Sequence, residues 1–141
     1  MIAGTAIVGA TALIGCLFGP SEPYPIAPEP LETPAAFADY RQRLEDCAGL
    51  KGDPRKIVWY RVDRILFGRC ADCLAGFWDA RDSAVTRIYI VAPRDVPLPR
   101  SVVDHEMLHE LLYQNGVTDV NGMIPGAKHG HPRPPYGKCA T

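Results

Sequence analysis

The chain has 141 residues, of which 47% are hydrophobic and 22% charged, and a formal net charge of -1. That length fits one folded domain and leaves no room for a second sizeable core. Lys and Arg are scattered without a basic block, so the footprint of a nucleic-acid binder is missing and no nucleic-acid partner is expected.

Residues 1–18 hold no charged residue and are rich in Ala, Ile, Leu and Gly. A membrane span needs about 20 apolar residues, so the stretch fits the apolar core of a secretory signal better. It contains Leu13-Ile14-Gly15-Cys16, which resembles a bacterial lipobox. The resemblance implies a lipoprotein-type signal peptide over residues 1–16, a lipid on Cys16 and a chain anchored to a membrane in the bacterial cell envelope, on its extracytoplasmic side. A signal peptide starts with Lys or Arg, which residues 1–15 lack; the alternative is a buried N-terminal helix with an incidental Cys. Residues 19–34 then hold six prolines. Such a run cannot sustain a helix or a central strand and favours extended chain, so residues 17–34 are expected to be a tether to a domain over 35–141.

Phe37, Tyr40, Leu44 and Cys47 recur at helical spacing, with Asp39, Arg41, Arg43 and Glu45 on other faces and Gly49 and Gly52 closing the helix. Residues 57–67 are rich in β-branched and aromatic side chains and predict a strand or hairpin. Residues 68–76 read as a loop, and Phe77 and Trp78 as the start of a short strand. Residues 85–91 are a clearer strand, expected at the sheet edge, with Ile88 and Ile90 on one face and Tyr89 and Val91 on the other. After Pro93, Pro97 and Pro99, a helix is expected from a Ser101 cap, with Asp104 three residues on, to a stop at Asn115-Gly116. Trp59, Trp78 and Phe67 are core candidates. The fold class expected is α+β: a small, mostly antiparallel sheet packed on an N-terminal helix and a second helix.

With Cys16 set aside, Cys47, Cys70, Cys73 and Cys139 remain as disulfide candidates, enough for two bonds in three connectivities. Cys70-Ala71-Asp72-Cys73 is formally a redox or zinc CxxC, but no second CxxC exists, and its sulfurs are each expected to pair elsewhere.

The second helix carries His105-Glu106-Met107-Leu108-His109. Residues four apart share a helix face, so two imidazoles can aim at one point. Glu106 then lies beside a bound metal rather than on it, placed to take a proton from water and pass it to a leaving amine. Zinc brings the pKa of its water to about 7, which is why this chemistry uses His, Glu and His at this spacing.

A third ligand is needed. A metzincin has Gly and His where this chain has Leu112 and Asn115, and a gluzincin needs a downstream Glu, of which there is none after Glu110. Asp119 lacks the rest of the Asp-type motif and is more simply a turn residue or an acceptor for a ligand His. His129 and His131 remain, so all four histidines fall in the last third of the chain. Tyr113 and Tyr136 are weaker candidates as donors to a developing oxyanion, against a packing role.

Residues 85–139 resemble minimal zincin domains, of the SprT-like kind or of small bacterial lipoprotein metallopeptidases. The resemblance implies a strand leading to the HExxH helix, one Zn2+, His105 and His109 as ligands and Glu106 as general base. It also implies a third His from a later Gly/Pro-rich turn. The run from His131-Pro132 through Tyr136 to Cys139 matches that segment, which favours His131 over His129, and a disulfide from Cys139 would pin it. The expected function is zinc-dependent hydrolysis of peptide bonds in a peptide or protein substrate laid along the strand at 85–91. The alternative is a non-catalytic, zinc-containing envelope lipoprotein that binds peptides or partners on the same scaffold.

Overall fold

The structure is a computed structural model, and it describes residues 22–68, 74–82, 84–117 and 135–140. Cys16, Cys70, Cys73, Asp119, His129 and His131 lie outside these residues.

The elements in chain order are β1 (Tyr24–Ile26), β2 (Glu29–Leu31), α1 (Ala36–Ala48), β3 (Ile57–Val62), β4 (Arg64–Leu66), β5 (Gly76–Asp79), β6 (Thr86–Val91) and α2 (Arg100–Gln114). Short 3-10 turns cover Pro54–Lys56 and Tyr136–Cys139. The class is α+β. One sheet has the order β2-β3-β6-β5, with β3 and β6 parallel and the other neighbours antiparallel; β1 and β4 form a second, antiparallel pair. Among the described residues no helix is long and apolar enough to cross a membrane.

Three expectations about the strands are corrected. Residues 24–31 are not tether: β1 pairs with β4 and β2 with β3, in one register that runs from Tyr24↔Leu66 to Leu31↔Trp59. Pro25 and Pro30 are compatible with this because each sits in an outer strand, where a missing N–H can face away from the ladder. Residues 57–67 are not a hairpin either: Asp63 separates β3 from β4, and each pairs with another partner. Finally, β6 is no edge strand, since β3 flanks it on one side and β5 on the other. Both of its faces are also covered. Ile88 and Ile90 join Trp59 and Trp78 under α2, while Tyr89 packs with Val62, Ile65 and Phe77 on the opposite face. A strand covered on both faces is apolar on both.

α1 ends where Gly49 adopts φ 68 and returns its N–H to the Glu45 carbonyl, a left-handed stop open to glycine. Its buried side includes Phe37 and Leu44, as the spacing requires, but also Arg41 and Glu45, which the sequence pattern put elsewhere. α2 starts without a side-chain cap. The Pro99 carbonyl accepts from Val102 and Val103 N–H, and Ser101 lies exposed inside the helix. Asn115 Nδ2 closes the other end by donating to the Leu111 carbonyl at 2.8 Å and to the Lys51 carbonyl at 2.9 Å. Val103, Met107, Leu108, Leu111 and Leu112 are buried against the sheet and α1. Each such side chain contributes about 1.5–3 kcal/mol by leaving water.

Cys47 at the end of α1 is bonded to Cys139 in the C-terminal 3-10 turn. This overturns the expectation that Cys70 and Cys73 each pair with a distant cysteine of that set, because both distant ones are already joined. Tyr136 and Cys139 pack on the core beside α1.

Candidate functional site

The helical spacing of α2 brings His105 and His109 together. Their Nε2 atoms stand 3.1 Å apart and the rings meet edge to face at 4.7 Å between centroids. His109 is fully buried and His105 half-buried. Two imidazoles bound to one tetrahedral zinc at about 2.0–2.1 Å hold their nitrogens roughly 3.3 Å apart. The separation in this chain therefore fits a shared metal with little adjustment.

Glu106 is 2% exposed, and its Oε2 has no hydrogen-bond partner among the described residues. Burial alone pushes its carboxyl up to about 8. A carboxyl in this state is held neutral at pH 7 by lack of solvation, and a cation at the neighbouring imidazoles would favour its ionised, basic form. The residues present thus fit a divalent metal in two respects, the paired nitrogens and the unsolvated acid beside them. Among the described residues no group of three His, Cys, Asp or Glu side chains could hold a metal. His129 and His131, the expected third ligands, lie outside them.

β5 forms the wall next to this face. A Cβ on Gly76 would stand 2.8 Å from Val102 Cγ1 and 3.1 Å from Glu106 Cγ, so only glycine allows the strand this close to the helix. Two residues on, Trp78 turns to the same side. Its ring lies 6.0 Å from His109 at 22° and 5.3 Å from Tyr113. Trp78 Nε1 is buried without a hydrogen-bond partner among the described residues. Tyr113 and Tyr136 both pack against the core, which is the structural role weighed for them.

Behind the histidines, α2 is fastened to α1. Glu110 Oε2 accepts from Arg41 Nη1 at 2.5 Å, and Arg41 Nε donates to Glu45 Oε1 at 3.1 Å. Gln114 Nε2 donates to Glu110 and to the Asp53 carbonyl, and its Oε1 accepts from Asp53 N–H at 2.6 Å. Burial raises the Glu110 carboxyl, with Arg41 opposing it. Gly52 permits the network, because a Cβ there would fall 2.0 Å from Arg41 Nη2. Sequence reasoning missed this cluster. A cavity of about 510 Å³ lined by Phe37, Arg41, Ile57, Trp59 and Met107 opens on the same side. Met107 is two residues from each histidine, so this cavity faces away from them.

Comparison with protein-family models, with curated proteins and with solved structures gives no match.

Proposed function

We propose that the chain is a zinc-dependent metallopeptidase of the minimal zincin kind, with His105 and His109 as ligands of one zinc ion and Glu106 as general base. The observation that carries the reading is the 3.1 Å approach of the two Nε2 atoms beside a buried carboxyl. Zinc, when bound, supplies a Lewis acid that makes water reactive at neutral pH. Glu106 takes a proton from the attacking water and returns it to the leaving amine nitrogen, so that one water is consumed and an acid and an amine are released. Among the described residues β5 is hydrogen-bonded only to β6, so its outer edge, rather than β6, offers the line along which an extended peptide can pair. His131 completes the ligand set, with His129 as the alternative. In the same reading the domain is an envelope lipoprotein anchored through Cys16. The Cys47–Cys139 bond supports an oxidising compartment.

The test is metal content and peptidase activity of the purified chain. It should bind about one zinc per chain, as a single catalytic site requires. His105→Ala and His109→Ala should lose the metal. Glu106→Gln should keep it and lose hydrolysis of an unfolded protein substrate. No zinc, or full activity in Glu106→Gln, would sink the reading. Zinc retained without hydrolysis by the unaltered chain would instead establish the binding-protein alternative.

A further inference from the structure

We infer that Trp78 is a positioning residue of the histidine pair: its indole, packed against His109 and Tyr113 on α2, holds the His109 imidazole with Nε2 turned to His105. The inference rests on the metal-site reading above and deepens it. A histidine side chain has two rotatable bonds, and a ligand that samples several rotamers binds metal less tightly than one already held in place. Residues four apart on α2 are neighbours on its surface, so one large ring can cover both His109 and Tyr113. The indole does this at centroid distances of 6.0 Å and 5.3 Å and lies within 22° of the His109 plane. Trp78 is itself fully buried, and its backbone is fixed in the ladder opposite Ile88. Gly76, on the same face of β5, lets the strand approach until that contact is made. The ring therefore has a fixed place from which to restrict His109. Trp59 lies in the same core, but its ring contact is with Phe37 at 4.5 Å, on α1.

The experiment is a Co2+ titration of the full chain, read by visible absorption and by tryptophan emission. Co2+ serves as a spectroscopic stand-in for zinc in a tetrahedral N/O site. Trp78→Leu should weaken binding by about tenfold, the lower end of what loss of an orienting neighbour costs a metal site. Trp78→Phe, which keeps an aromatic ring against His109, should bind within about threefold of the unaltered chain on the same scale. Trp59→Leu is the control. It empties a comparable volume of the same core and should lower stability without changing Co2+ affinity. The chain has two tryptophans. Bound Co2+ should therefore quench the emission of Trp59→Leu, whose single remaining indole is at position 78, more than that of Trp78→Phe. Equal affinity in Trp78→Leu and the unaltered chain overturns the inference while leaving the metal site standing. The same loss in Trp59→Leu also overturns it, because the effect would then be one of stability. No Co2+ binding by the unaltered chain overturns this inference and the metal-site reading together.

Discussion

Arg41 on α1 places Nη1 2.5 Å from Oε2 of Glu110 on α2, with both side chains shielded from water. Glu110 follows His109 directly, so this contact fixes the rotation of the turn that carries the second histidine. Arg41→Met would remove the only guanidinium bonded to Glu110 among the described residues and leave its carboxyl buried beside Gln114. Breaking a buried pair from one side costs about 3–5 kcal/mol. Adding Glu110→Gln should return part of that loss, because a neutral amide needs no counter-charge. Urea unfolding of the two variants checks this, and a double variant no more stable than Arg41→Met would refute it.

A second prediction concerns pH in the metal-free chain. The Glu106 carboxyl is pushed by burial to about 8 from an ordinary value of 4.5. Between those values the native state binds more protons than the unfolded chain, so the slope of unfolding free energy with pH is negative. The stability tied to Glu106 is thus fully present below about pH 4.5 and is lost as pH rises through about 8. With EDTA present, the urea midpoint should fall between pH 5 and pH 9, as the linkage requires. Glu106→Gln should flatten that fall. An equally steep decline in Glu106→Gln would assign it to other groups.

The third prediction is for the disulfide. Cys47 and Cys139 are 92 residues apart in sequence. A cross-link over so long a loop removes much freedom from the unfolded chain, and bonds of this kind contribute about 2–4 kcal/mol. Cys47→Ser should therefore lower the thermal midpoint clearly, and dithiothreitol should do the same to the unaltered chain but not to Cys47→Ser. A midpoint insensitive to reductant would show that the bond is absent or idle.

Local signals in the sequence were enough for the two helices and for the pairing of His105 with His109, because helical period and the Gly49 and Gly116 stops are written within a few residues of where they act. The alternation of residues 85–91 was equally plain. Their place between two neighbours was not: the strand reads as an edge until β3 and β5 are seen to flank it, although both of its faces are apolar. What stayed hidden depends on partners far apart in sequence. Arg41 and Glu45 look like solvent-facing charges on α1 until Glu110 arrives from 69 residues away. The proline-rich run of residues 24–31 reads as a linker because proline argues against a central strand, and only the matching segment 59–66 makes it an outer one. Trp78 was recognisable as core, but its contact with His109 follows from how β5 meets α2.

The order of elements along the chain has a consequence for assembly. The strand and helix surfaces on which α2 rests, from α1, β5 and β6, are made of residues that precede it in the sequence. During synthesis the sheet can form its central parallel pairing first, leaving Trp59, Trp78, Ile88 and Ile90 without a cover until α2 emerges. The docking of α2 therefore covers this sheet face and sets His109 against Trp78 in one step. Chains released before about residue 112 should be handled by the cell as unfinished protein, with an apolar sheet face open to aggregation.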